Sequence, residues 1–352
     1  MPGNALHCHA DYSPVVLPPP VAHARLSPVD DVYHCAPEPR TAGSELDDLR
    51  VLVAVTTFRR IHLLPDLIAR VQEEMAEAPC PARLLVVDND PDCSARRVCE
   101  TAGVGYLPVA LPGIAAARQA ALAAAADQEL TVMVDDDVMP QAGWLCELVA
   151  VWRQTRAAVV MGFVQYVWPP DCDPWVSDSG FMRRTRHARA QELDYLATSN
   201  ALFDTGQVRR LGVDFDTSLG LAGGEDTRFG RDVLAAGGRI VAAPDSVVRA
   251  DIPPERATRD FARRRARTQG ASRSQMLIDD PRPAVRLLRS GQHLLGGVAR
   301  LAVFSTGARL IPARLDRRRN AVLSRRAWFA QGRILGALGK GSPLYTRRPT
   351  AH

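Results

Sequence analysis

Apolar residues recur in two alternating rhythms along the first half of this chain. Four short runs have the length and the β-branched or apolar content of buried strands: Val51-Leu52-Val53-Ala54-Val55, Arg83-Leu84-Leu85-Val86-Val87, Gly105-Tyr106-Leu107-Pro108-Val109 and Leu130-Thr131-Val132-Met133-Val134. Stretches with helical spacing lie between them. His62 to Glu77 carries Leu63, Leu64, Leu67, Ile68, Val71 and Met75 on one face, and Ser94 to Ala102 is a second candidate. The Ala-rich stretch Ile114 to Asp127, opened by Pro112-Gly113, is a third. Strands alternating with helices predict an α/β fold with a mostly parallel sheet.

Polar clusters close three of these strands: Thr56-Thr57, Asp88-Asn89-Asp90 and Asp135-Asp136-Asp137. Short right-handed connections bring such ends to one edge of the sheet, where open α/β sheets bind ligands. Three adjacent carboxylates repel one another, so stability does not explain residues 135–137. Their hard oxygens suit Mg²⁺ or Mn²⁺, and a solvated acidic turn is the plain alternative. No G-x-G-x-x-G follows the first strand and no G-x-x-x-x-G-K-[ST] occurs, which argues against dinucleotide dehydrogenases and P-loop NTPases.

These segments, joined by Gly113-Ile114-Ala115-Ala116-Ala117-Arg118, Ser199-Asn200-Ala201-Leu202-Phe203, Phe215-Asp216 and Gly223-Gly224-Glu225-Asp226-Thr227-Arg228-Phe229, resemble the family 2 glycosyltransferases over about residues 50 to 250. Within that family the pattern looks most like the succinoglycan-type exopolysaccharide glucosyltransferases. The resemblance implies a GT-A fold, the Rossmann-like nucleotide-diphospho-sugar transferase sheet. It implies an inverting, metal-dependent transfer of a hexose such as glucose. The donor would be a UDP-sugar, and the acceptor a glycan on a polyprenyl diphosphate lipid. By the same resemblance Thr56 and Asp88 contact the donor base, and Arg118 approaches the base or the diphosphate. Asp135 and Asp137 match a D-x-D motif that holds the ribose and the metal, with Asp136 at its variable position. Asp226 matches the general base and Glu225 an orienting carboxylate, ahead of a helix from Thr227 to Ala236. The plain alternative is that this acidic pair only caps the helix. Family members often place a His some twenty residues later as a metal ligand. Here Asp245-Ser246-Val247-Val248-Arg249-Ala250-Asp251 has none, which leaves Asp251 or water as the replacement ligand, or Arg249 as a direct diphosphate contact. Trp168, Trp175 and Phe181 are either sugar-stacking platforms or ordinary core.

Composition changes this picture at the two ends. Residues 1–48 are rich in Pro, His and Asp without a period and read as a disordered tail. The expected division is this tail, a catalytic domain over 49–252 (a nucleotide-binding half to 140, an acceptor half from 141), and a basic helical region over 253–352. From Pro253 onward there are 22 basic and 5 acidic residues, whereas the whole chain carries only +5. Helical apolar spacing there, interrupted by Gly291, Gly296-Gly297 and Gly307, suggests basic amphipathic helices for an anionic membrane surface. A helical cap packed on the catalytic domain is the alternative. No signal peptide or membrane-spanning run is apparent, so the expected place is the cytoplasmic face of the membrane. Seven scattered cysteines show no metal spacing. His7-Cys8-His9 with His34-Cys35 offers a soft-metal alternative. Two competing functions remain. A sugar nucleotidyltransferase is disfavoured because Thr56-Thr57-Phe58-Arg59-Arg60 lacks a Gly-rich loop. A nucleic-acid binder is disfavoured because no recognised binding motif accompanies the arginines.

Overall fold

The computed structural model describes residues 49–219, 223–278 and 282–340. The tail at 1–48, with its His-Cys segments, lies outside the described residues. Eight strands form one sheet: β1 (Val51–Thr57), β2 (Ala82–Asp88), β3 (Gly105–Pro108), β4 (Leu130–Asp135), β5 (Met139–Pro140), β6 (Val159–Val167), β7 (Asn200–Asp204) and β8 (Ile240–Asp251). Their order across the sheet is β3-β2-β1-β4-β7-β6-β8-β5.

The first four strands run parallel, with Thr56 level with both Val87 and Asp135. Parallel pairing in this register brings the three polar strand ends side by side. Beyond β4 the sheet is mixed rather than mostly parallel. β7 runs antiparallel to both β4 and β6, and β5 runs antiparallel to β8. The cause is non-local: β7 is reached only after the excursion through β5 and β6.

Period-two alternation along β1 feeds two separate cores. Val51, Val53 and Val55 face one helical layer. They pack with Leu64, Leu67, Ile68 and Val71 of α1 (Leu64–Glu77), Cys99 of α2 (Arg96–Ala102), and Trp144 and Leu148 of α4 (Trp144–Thr155). Leu52 and Ala54 face the other layer. They pack with Ala115, Ala117 and Ala121 of α3 (Ile114–Ala124), Val208 of α6 (Thr205–Arg210), and Phe229 and Val233 of α7 (Glu225–Ala235). The Ala-rich surface of α3 lets that helix lie close to the sheet, which carries Arg118 inward.

A third cluster couples this layered body to the C-terminal helices α8 (Arg259–Ile278), α9 (Pro283–Leu310) and α10 (Arg317–Ala337). Trp175 and Val176 of the short α5 (Pro174–Asp178), with Phe181, pack against Ala262, Ala321 and Trp328. Trp175 is buried and its indole N–H donates to Asn320, and Phe181 is buried as well. The sugar-stacking alternative is therefore corrected for these two: their faces are used by the helical packing. A second correction concerns α9. The glycines expected to interrupt it lie inside one continuous helix of 28 residues. Gly297 is where it packs closely on Ala330 and Ile334 of α10, so one of these glycines serves packing rather than breakage.

Candidate active site

The site is built at the carboxyl ends of β1, β2 and β4. Asp135 closes β4 and Asp136 and Asp137 follow it, as the apolar run Leu130–Val134 gives way to charge. Thr57 Oγ1 donates to Asp136 (2.8 Å), and Thr56 Oγ1 lies 3.5 Å from Asp135 Oδ1. The adjacent strand ends thus fix the first two carboxylates.

Three arginines answer the acidic cluster. Arg118 is buried and donates through Nη2 to Asp135 (2.9 Å) and through Nη1 to Glu225. Arg60, just past β1, donates to Asp136 (2.6 Å) and Asp137 (2.9 Å). Arg256, at the end of a single 3-10 turn (Pro254–Arg256) between β8 and α8, reaches Asp137 (3.4 Å). The sequence pattern marks neither Arg60 nor Arg256 for a role here. Arg60 had the signal of standing at a strand's carboxyl end. Arg256 had none, because it is delivered from 119 residues away.

Arg118 also ties two regions of the chain together. Glu225 opens α7, whose preceding residue Gly224 has a backbone φ of 96°, a value that glycine accepts readily. The helix begins two residues before the expected Thr227 start, so the acidic pair lies in its first turn, where the dipole favours negative charge. Glu225 points into the protein to Arg118. Asp226 is half-buried, and its Oδ1 accepts from the Thr227 amide (2.6 Å).

Burial pushes the Asp135 carboxyl above its usual range, against the pull of the Arg118 charge. Burial does the same to Glu225, again opposed by Arg118, and to Asp136, opposed by Arg60. Burial alone would lower the Arg118 guanidinium, but Asp135, Glu225 and Asp226 together hold it above its ordinary value. The Asp226 charge is thus felt at Arg118, at Glu225 and at Asp135.

Asp88 is turned inward. Its Oδ1 accepts from the Asp90 amide (2.9 Å), and its Oδ2 accepts from the Ala95 amide (2.9 Å) and the Tyr106 hydroxyl (3.1 Å). It is fully buried, so both oxygens are committed to the turn after β2 rather than presented to a base. Asn89 beside it holds the α3 entry loop: it accepts from the Gly113 amide (2.8 Å) and donates to Val109 and Leu111 carbonyls. The antiparallel pairing of Met139 with Arg249 directs the end of β8 towards Asp137, but the Asp251 side chain is turned to Arg249. It is exposed at the end of β8 and paired with Arg249 at 2.8 Å. Neither side chain has a hydrogen bond to residues 135–137, so the expected replacement ligand and the alternative diphosphate contact are engaged with each other.

The chain matches the family model described as glycosyl transferase family 2 over residues 52–212. It is 28% identical over 300 residues to the succinoglycan biosynthesis protein ExoM of Rhizobium meliloti (strain 1021), covering 83% of this chain and 94% of that protein. Residues 52–212 thus form a glycosyl transferase family 2 region, and with this relative they support glycosyltransferase activity. Its mixed sheet, parallel from β3 across to β4, is the nucleotide-sugar transferase fold. Among solved structures, this glycosyltransferase aligns with S. aureus TarS at a TM-score of 0.45 and 16% identity, over 83% of this chain and 55% of that one. It aligns with GalNAc-T7, solved with UDP, GalNAc and Mn²⁺, at 0.46 and 13%, over 62% and 47%. The chain therefore spans about half the length of those two structures.

Among the described residues of this glycosyltransferase, no three His, Cys, Asp or Glu side chains gather as a metal group. That does not exclude Mg²⁺ or Mn²⁺, which are commonly held by one or two carboxylates and completed by substrate phosphates and water. Asp135 and Asp137 supply such hard oxygens beside each other, close enough for the charge on Asp137 to raise Asp135. The donor set fits a cation whose shell the sugar donor completes.

Proposed function

We propose that this glycosyltransferase is an inverting enzyme that moves a hexose from a UDP-linked donor to a lipid-linked oligosaccharide during exopolysaccharide assembly. The name of the relative, a succinoglycan biosynthesis protein, supports the product class. A lipid-borne acceptor would place the enzyme at the cytoplasmic face of the membrane. The observation that carries the chemistry is the Asp135–Arg118–Glu225 link, which holds the acidic pair of α7 against the carboxylates at the end of β4.

The transfer needs three things from these residues. The acceptor hydroxyl has a high pKa and must lose its proton as it attacks, and Asp226 takes that proton. The new oxygen–carbon bond forms on the face opposite the breaking bond to phosphate, whose electron pair leaves with the nucleoside diphosphate. Negative charge therefore grows on the leaving group, and Arg60 and Arg256, now paired with Asp136 and Asp137, are the positive charges that would turn to meet it. Arg118 is different, because it is buried and committed on both sides. Its role is to hold Glu225, and through the first turn of α7 the adjacent Asp226. A divalent cation at Asp135 and Asp137 would add Lewis-acid stabilisation of the departing phosphates. Asp88, buried in its turn, shapes the base end of the site, and Thr56 steadies Asp135.

Thermal stability with UDP, dTDP and GDP, each with and without Mn²⁺, tests the donor reading, because a ligand of the native state raises Tm by mass action. A Mn²⁺-dependent rise with UDP alone, lost in Asp137→Ala, is expected. A rise with another nucleotide alone would overturn the UDP assignment. With the right donor, Asp226→Asn should lower kcat by about 10²–10⁴-fold with little change in Tm. Unchanged turnover would remove Asp226 from the base role.

A further inference from the structure

Helix α9 is the outermost element of the C-terminal region, and its sequence is unusual for a surface helix. It carries four arginines and no Asp or Glu over 28 residues. One side rests on α10, where Gly297 is its buried residue. The opposite side presents Leu287, Leu288, Leu295, Val298, Val303 and Leu310, between 50% and 76% exposed. At 100° per residue these six fall within one half of the helix circumference. Arg289 and Arg300 fall along one border of that arc, and Arg309 stands within it near the C-terminal end. A water-facing helix would carry charge where these apolar side chains stand, so the arc is a largely apolar strip about 35 Å long.

The charge around the strip identifies its occupant. The C-terminal end of α9 meets a groove lined by Ile311, Leu323, Arg318, Arg319 and Arg326, with Asp316, paired with Arg319, as its one acidic residue. Through Val322 that groove adjoins a cavity of about 560 Å³ walled by Arg183, Arg184, Arg186 and Arg325. Arg325 is partly desolvated, which lowers its guanidinium, and its Nε donates to the Ser179 carbonyl rather than to a carboxylate. An apolar strip bordered by cations matches the boundary between lipid tails and anionic headgroups. Among the described residues no helix is long and apolar enough to cross a bilayer, so α9 would lie in the interface rather than span it.

We propose that the outward face of α9 is the membrane-docking surface of this enzyme, with its apolar strip in the interface and its arginines on anionic phospholipid. This deepens the lipid-linked acceptor reading and rests on it for the use of such docking. Because Arg256 at the root of α8 contacts Asp137, the helical region that carries α9 is joined directly to the catalytic site.

The test is co-sedimentation of the full chain with vesicles of phosphatidylcholine, alone or mixed with phosphatidylglycerol, at low and high salt. No sugar nucleotide is present, so a failure here is separable from a failure of the donor or acceptor assignment. The wild type should bind the anionic vesicles, and less so at high salt. Leu288→Glu/Leu295→Glu/Val303→Glu should lower the partition coefficient about tenfold or more, with circular dichroism and Tm unchanged, because these side chains are exposed. Arg300→Gln/Arg309→Gln should weaken binding to anionic vesicles and flatten its salt dependence. No binding of the wild type to anionic vesicles would overturn the proposal, as would undiminished binding of the triple variant. A wild-type dimer that the triple variant dissociates, without vesicle binding, would instead make the face a contact between two copies of the chain.

Discussion

Arg118 provides the sharpest test of how the site is held together. Its side chain is 6% exposed and ion-pairs with Glu225, 9% exposed, and Asp135, 27% exposed. Replacing it by methionine keeps much of the volume but strands both carboxylates. Removing one partner of a buried pair costs about 3–5 kcal/mol. Asp135 retains some solvent and Glu225 can take up a proton, so the expected loss at neutral pH is at the lower end, about 3 kcal/mol. For a chain of this size that corresponds to a fall in Tm of roughly 4–5 °C.

The pH dependence separates this mechanism from simple loss of packing. Burial already raises Asp135 and Glu225 above their ordinary values, with Arg118 pulling them back. Without Arg118 their folded-state values rise further. A carboxyl whose pKa is raised in the folded state binds its proton more tightly there than in the unfolded chain. Its stability contribution is therefore greatest at low pH and is lost as pH rises through the unfolded and then the folded pKa. The deficit of Arg118→Met relative to wild type should thus be largest at neutral pH and shrink on acidification towards the carboxylate range. Urea unfolding at neutral and mildly acidic pH measures it, and a double-mutant cycle with Glu225→Gln isolates the pair. A deficit below about 1 kcal/mol at neutral pH, or one equal at both pH values, would refute the reasoning.

Two further substitutions test the frame around the site. A side chain at Gly162 would collide with the Asn200 amide, which accepts from the Trp144 indole (2.7 Å) and donates to the Phe163 and Ser246 carbonyls. Gly162→Ala should cost about 1–3 kcal/mol in chemical denaturation, and a neutral result would mean the strands shift freely there. At Gly332 an added methyl would meet the Arg267 backbone carbonyl, so Gly332→Ala should push α10 off α8. Faster proteolysis within residues 259–337, with the strands of the sheet still protected, is expected. Uniform protection would argue against that tight crossing.

The sequence was most legible where structure is local. The strands β1, β2 and β4, the helices between them and the convergence of three polar strand ends follow from contiguous runs. The structure departs where a partner comes from far along the chain. β7 enters antiparallel beside β4, which no local pattern marks. Arg118 joins Glu225 across 107 residues, and Arg256 joins Asp137 across 119. Asp88 shows a different limit: its motif marks it as a ligand contact, yet the backbone turn after β2 consumes both of its oxygens. The acidic pair of α7 was readable as a motif, but that Glu225 faces inward while Asp226 stays half-buried depends on the helix starting at Glu225. In α9 the glycines read as breaks, because the close approach of α10 at Gly297 is a tertiary fact.

The charges of the site argue for how donor binding is controlled. Asp135, Asp136, Asp137, Glu225 and Asp226 oppose Arg60, Arg118 and Arg256. With all five carboxylates ionised, the cluster keeps an excess of negative charge, which repels a diphosphate. A divalent cation at Asp135 and Asp137 would cancel that excess and free Arg60 and Arg256, which in this structure are spent on Asp136 and Asp137. Nucleotide and cation should then bind with positive coupling, each raising the affinity of the other by the same factor. Arg60→Ala separates the two roles of that guanidinium. If it acts mainly as a counter-ion to Asp136 and Asp137, the variant should bind Mn²⁺ more tightly in the absence of nucleotide. If it acts mainly on the diphosphate, Mn²⁺ affinity should stay unchanged and UDP affinity should fall. A gain in both affinities would show that Arg60 blocks the site rather than serving the donor.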